Sequence, residues 1–140
     1  MKKSNRFKMH LWLFIVFVFA GICNGFSQEK DNSWVPPPSA ESMVNPYKDS
    51  IQLLPHAQKI YLSNCSPCHG KSGKGDGPQA VTCNPSPADH TSDKVQNQTD
   101  GSMFWKIARG HTPMVSFKKT VTEAERWELV LYIRSLVKKQ

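Results

Sequence analysis

Cys65-Ser66-Pro67-Cys68-His69 decides how the rest of this 140-residue chain is read, and a glycine-rich stretch, Gly70-Lys71-Ser72-Gly73-Lys74-Gly75-Asp76-Gly77-Pro78, follows it directly. The first five residues form a C-x-x-C-H motif, the pattern of c-type haem attachment. The chemistry needs that spacing: two thiols add across the two vinyl groups of one haem, and the adjacent imidazole is carried under the iron as an axial ligand. Three other readings compete for the same residues: a thioredoxin-like C-x-x-C, a plain disulfide, and a zinc site completed by Cys83. A thioredoxin-like site belongs in a βαβ pattern, which this sequence does not show. Zinc needs four good ligands, and Cys65, Cys68, His69 and Cys83 would supply them. The glycine-rich stretch is no phosphate loop, because that motif closes on Gly-Lys-Ser/Thr and this one ends Gly77-Pro78.

Around the motif the apolar spacing predicts three helices. The first starts near Pro55, a favourable first-turn residue, places Ala57, Ile60 and Tyr61 on one face, and runs into Cys65. The second opens with Asp100 as N-cap and stops at Gly110, with Met103 and Ile107 in i, i+4 relation and Phe104 and Ala108 beside them. The third covers about 122 to 138: Thr122 and Glu125 make a capping box, and Trp127, Leu129, Val130, Ile133, Leu136 and Val137 form an apolar arc. The long connections are dominated by Gly, Pro, Ser, Asn and Asp, and nothing reads as a strand. The expected fold is therefore all-α, with three main helices and long loops over residues 51–140. Three short helices make a thin core, and a domain this small needs a staple such as a disulfide, a metal or a cofactor.

The amino end is of a different kind. Lys2, Lys3, Arg6 and Lys8 precede an apolar run from Leu11 to Ala20, small or polar residues begin at Asn24, and no acidic residue appears before Glu29. This is the layout of a secretory signal, with Gly25 and Ser27 placed for a cut before Gln28; residues 1–27 are read as a signal peptide. The apolar run of roughly 13 residues is short of the about 20 that a spanning helix needs. An uncleaved amino-terminal anchor, or a lipid-modified Cys23, are the alternatives. The whole chain carries +7, from 18 basic and 11 acidic residues, but without those four basic residues the balance is 14 against 11, or +3. That removes the argument for a nucleic-acid partner. Residues 28–50, with Pro36-Pro37-Pro38, Asn45 and Pro46, are expected to be extended or polyproline-like, a spacer or a surface strap. Trp34, Val35, Met43, Val44 and Tyr47 are more apolar material than a pure linker needs, enough for part of the segment to dock.

With its export signal, its C-x-x-C-H motif, and Pro113-Met114 in a loop between the second and third helices, the chain resembles the class I cytochrome c family over residues 51–140. The monohaem domains of high-affinity haem–copper oxidase subunits are the most similar in look. The resemblance implies one haem c held through Cys65 and Cys68, with His69 as proximal and Met114 as distal iron ligand. It implies that the carbonyl of Pro78 accepts a hydrogen bond from the other ring nitrogen of His69, a partner of the kind that fixes a ligand's ring. Trp105 is a candidate donor to a haem propionate. Relatives often have Gly eight positions before the first haem cysteine, where this chain has Ala57. Cys83 is expected as a small buried residue of the pocket wall, an intermolecular disulfide or a reactive thiol being the alternatives, Met103 as core, and His56, His90 and His111 as exposed loop histidines, the alternative being a bis-histidine iron.

A Met/His-ligated iron leaves no position open to substrate. The implied function is outer-sphere electron transfer outside the cytoplasm, in the periplasm, free or membrane-associated, with no acid–base or nucleophilic chemistry by the protein. The implied partners are a donor such as a quinol-oxidising complex or a dehydrogenase and an acceptor such as a terminal oxidase, met through a basic rim of Lys71, Lys74, Lys106, Arg109, Lys118 and Lys119. Two other readings keep the haem: a sensor or catalytic subunit in which Met114 detaches, and a fixed subunit of a membrane respiratory complex.

Overall fold

Pro55 has no backbone N–H to offer, which costs nothing in the first turn of a helix, where that group has no intrahelical partner. The chain accordingly makes a 3₁₀ turn over Ile51–Leu53 and enters a helix at Leu54. The computed structural model describes residues 34–137; the expected signal peptide, with Cys23, lies outside them. Among the described residues there are six α-helices and no strand: α1 (Pro38–Glu41), α2 (Leu54–Asn64), α3 (Ser66–His69), α4 (Asp93–Gln96), α5 (Asp100–Arg109) and α6 (Glu123–Ser135).

The three expected helices are α2, α5 and α6, and their apolar faces meet. Ala57 and Tyr61 of α2 and Leu129 and Val130 of α6 are completely buried, so the place where the family often has glycine is here filled by a methyl group. Met103, Phe104 and Ile107 of α5 close the core, with the Phe104 ring stacked on Trp127 at 4.0 Å between centroids. The capping box of α6 forms as expected: the Thr122 hydroxyl accepts from Glu125 N, and the Glu125 carboxylate accepts from Thr122 N at 2.8 Å. The cap of α5 is one residue earlier than expected. Thr99 holds the extended backbone of an N-cap and accepts from Ser102 N. Asp100 stands in the first turn, paired at 2.8 Å with Arg134. Arg134 also donates to the carbonyls of Gln96 and Gln98, which binds α6 to the turn between α4 and α5.

Residues 34–50 differ from an extended spacer. Pro38 at the first helical position starts the short helix α1, and the segment packs on the domain it precedes. Ala40 is 2% exposed. It lies so close to Gly101 that a Cβ there would run into the Ala40 carbonyl. Asn45 is equally buried, and its amide donates to the Trp127 carbonyl at 3.1 Å. Tyr47 packs on the core, while Val35 and Val44 face outward. Residues 34–50 thus pack on the three-helix core, with α1 against α5.

Gly101→Ala is expected to push α1 off α5 at a cost of about 2 kcal/mol, measured by chemical denaturation, and to open residues 34–45 to limited proteolysis.

Candidate functional site

The motif forms a single helical turn. Cys65 N donates to Tyr61 O at 2.8 Å, and His69 N donates to Cys65 O at 2.8 Å, so α3 continues from the end of α2. Positions i, i+3 and i+4 of a helix share a face, and Cys65, Cys68 and His69 hold those positions. The glycine-rich stretch then folds back on that turn: Gly75 N donates to His69 O at 2.8 Å and Gly77 N to Cys68 O at 3.0 Å. Gly77 is required by the close approach, since a side chain there would strike the Ser66 and Pro67 carbonyls.

Pro78 does not play the part expected of it. Carried out beyond Gly77, it is exposed, and the Nδ1 of His69 donates instead to the carbonyl of Ala88 at 2.9 Å. The chain comes back past the histidine only at Pro87–Ala88, against Gly75. A carbonyl only accepts, so Nδ1 carries the proton and Nε2 the lone pair. Burial lowers the His69 pKa below the ordinary histidine value, which keeps the ring neutral at pH 7 and that lone pair available.

His90 is not an exposed loop residue. It is 9% exposed, and its ring stacks on His69 at 4.0 Å between centroids. Its Nδ1 lies 3.0 Å from the Tyr61 hydroxyl, and its backbone N–H donates to Gly73 O at 2.6 Å. Burial, and then the neighbouring His69, push its pKa down to about 3, so it is a neutral wall of the site. The turn that delivers it is tied by Asp89, whose carboxylate accepts from the Thr91 N–H and hydroxyl at 2.7 Å each.

Met114 sits half-buried against the core. Its loop is closed by a reciprocal pair of hydrogen bonds, from His111 N to Met114 O at 2.9 Å and from Met114 N to His111 O at 2.7 Å. Trp105 is half-buried beside the Arg109 guanidinium, 5.4 Å from its ring centroid.

The family model described as Cytochrome C oxidase, cbb3-type, subunit III matches residues 52–133. The chain belongs to this family. It is a class I monohaem cytochrome c with haem c bound covalently through Cys65 and Cys68. A solved chain of the Kuenenia stuttgartiensis reducing HAO-like protein complex is similar at 33% identity and a TM-score of 0.54, covering 61% of this chain. The cytochrome spans less than half of that protein, 44% of its length. No curated protein matches in sequence.

The residues of this cytochrome fit the cofactor better than they fit zinc. Among the described residues no three His, Cys, Asp or Glu side chains stand together as a metal-binding group. The Cys65 thiol is buried, and burial pushes its pKa up to about 12. Cys83 is half-buried rather than sealed in the pocket wall. Its thiol donates to Gln79 O at 3.5 Å and shares a hydrogen bond with the free thiol of Cys68, which burial and this contact hold above the ordinary thiol pKa. Met103 is core, as expected, and His56 is exposed, donating to Glu128 at 2.6 Å. His111 is half-buried under the ring of Trp34. Ala88 is the site residue that the sequence does not single out; His90 and Tyr61 are read there as a loop histidine and as a position on the apolar face of α2.

Tyr61→Phe keeps the ring and removes the hydroxyl from the buried His90 Nδ1. A loss of about 1–2 kcal/mol in stability is expected, measured by denaturation of the haem-loaded protein, together with weaker hydrogen-exchange protection at Gly73 and His90.

Proposed function

We propose that this chain carries single electrons between redox proteins outside the cytoplasm, through an iron held by His69 and Met114. The observation that supports it most is the His69 geometry: Nδ1 tied to Ala88 and a neutral ring leave Nε2 as the donor, on the same helical face as the two attachment cysteines. The haem supplies a one-electron couple when bound. The chain's part is to hold it. Cys65 and Cys68 fix its position and orientation, His90 backs the proximal ring, and Met114 fills the remaining position, which excludes exogenous ligands and raises the potential. Trp105 offers its indole N–H to a haem carboxylate. The reading is a carrier or a cytochrome subunit of a redox complex rather than an enzyme in its own right.

The partners in this reading are a quinol-oxidising complex or dehydrogenase as donor and a terminal oxidase as acceptor, met in small, electrostatically steered encounters. Of the basic residues expected to make the rim, Lys74 donates to Thr91 at 2.6 Å and Lys106 to Gln98 at 2.6 Å. Residues 1–27 serve as the export signal, which places the mature protein in the periplasm. Among the described residues no helix is long and apolar enough to cross a membrane.

The test is an absorption spectrum of the exported protein, oxidised and reduced, beside Met114→Ala. A far-red charge-transfer band in the oxidised wild type that disappears in the variant is expected, with carbon monoxide binding to the reduced variant only. A wild type that lacks the band and binds carbon monoxide overturns Met114 ligation and favours a ligand-sensing or catalytic haem.

A further inference from the structure

The strap upstream of α2 reaches the loop that carries Met114. The Trp34 indole stacks on the His111 ring, with 5.4 Å between centroids and 17° between planes. His111 is the residue whose N–H and carbonyl both bond to Met114. Lys106 Nζ lies 5.1 Å from the centroid of the same indole and donates at 2.6 Å to Gln98. The Trp34 Nε1 is buried with no hydrogen-bond partner among the described residues. An unpaired buried N–H is costly, so the ring is kept there by its faces, against His111 and Lys106, and not by its polar end. Farther along, the strap is anchored to the frame through Ala40 on Gly101 and Asn45 on Trp127.

The loop lies largely at the surface: Thr112, Pro113, Val115 and Ser116 are exposed. Among its ties, besides the His111–Met114 pair, are Ser116 Oγ donating to Ala108 O at 2.6 Å and Phe117 N donating to Ile107 O at 3.2 Å. Segments with few buried contacts open locally at low free energy, and opening here lifts Met114 away from the core.

We propose that Trp34 is a positioning residue for the sixth iron ligand: the strap clamps residues 111–114 and so holds Met114 on the iron. This rests on the Met114 ligation proposed above. A stacked aromatic pair accounts for about a tenfold shift in an opening equilibrium, which is the size of effect to seek.

The experiment uses the full-length haem-loaded protein as wild type, Trp34→Ala and Trp34→Phe. The readouts are the far-red band of the oxidised form against temperature, carbon monoxide binding to the reduced form, and the helical circular dichroism. In Trp34→Ala the band is expected to fade well below the temperature at which helix is lost, with carbon monoxide binding about tenfold faster. Trp34→Phe, which keeps a flat ring on His111, is expected to restore wild-type behaviour. Trp34→Ala indistinguishable from a wild type that shows the band overturns the clamp and leaves Met114 ligation standing. Band and helix lost together in Trp34→Ala also overturns it, since that is a general packing role. A wild type without the band overturns both readings.

Discussion

One hydrogen bond, from His69 Nδ1 to the Ala88 carbonyl at 2.9 Å, sets the tautomer of the histidine that follows the attachment cysteines, and much of the loop structure exists to make it. The chain leaves the attachment turn at Gly70 and must come back within hydrogen-bond reach of His69 at Ala88, 19 residues beyond that histidine. It does so in two layers. The first folds tightly on the turn itself through Gly75 and Gly77, and the second runs outside the first, with Pro87 against Gly75. Asp89 then closes the turn that drives His90 in behind His69. The His69 ring is thereby held at its edge by a carbonyl and on its face by a second imidazole, contacts that fix the orientation of an imidazole.

The frame around that site is small, and it is completed by contacts that are not part of the apolar core. Burial of Ala57, Tyr61, Leu129 and Val130 secures the crossing of α2 and α6. Little apolar surface is left for the outer side of α5, where the strap supplies the missing cover through α1. Single polar residues finish the work: Asn45 meets a backbone carbonyl 82 residues away, and Arg134 gathers Asp100 and two carbonyls from the turn before α5. A domain with a thin core gains order from such buried, satisfied polar groups as well as from its cofactor.

The surroundings of His69 and of Met114 are built differently. His69 is held by the Ala88 carbonyl and by the stacked ring of His90, on a turn that Asp89 closes. Met114 comes from a loop with exposed residues on either side, and Trp34 reaches that loop through the ring of His111.

What could be read from the residues in order was whatever depends on near neighbours. The i, i+3, i+4 spacing of Cys65, Cys68 and His69 puts them on one helical face wherever that helix packs. The Thr122–Glu125 box starts α6 by local hydrogen bonds alone, and Pro55 and Gly110 bound α2 and α5 for equally local reasons. The cap of α5 was misplaced by one residue because Thr99 and Asp100 are both good caps, and only the backbone angles choose between them. Pro78 was a fair candidate as partner of His69 on resemblance. The actual partner, Ala88, offers only a peptide carbonyl, which every residue has, so no side chain could announce it. In the same way a lone histidine in a Pro- and Asp-rich stretch looks solvent-exposed, and a proline-rich leader looks extended. The burial of His90 on His69, the seat of Ala40 on Gly101 and the stacking of Trp34 on His111 follow from surfaces that exist only once α2, α5 and α6 have packed. The sequence by itself determined the three main helices and the attachment chemistry, since these are written in spacings of three and four residues; tertiary structure alone decided what holds His69 and Met114, because those partners are brought together from distant parts of the chain by the packing of the core.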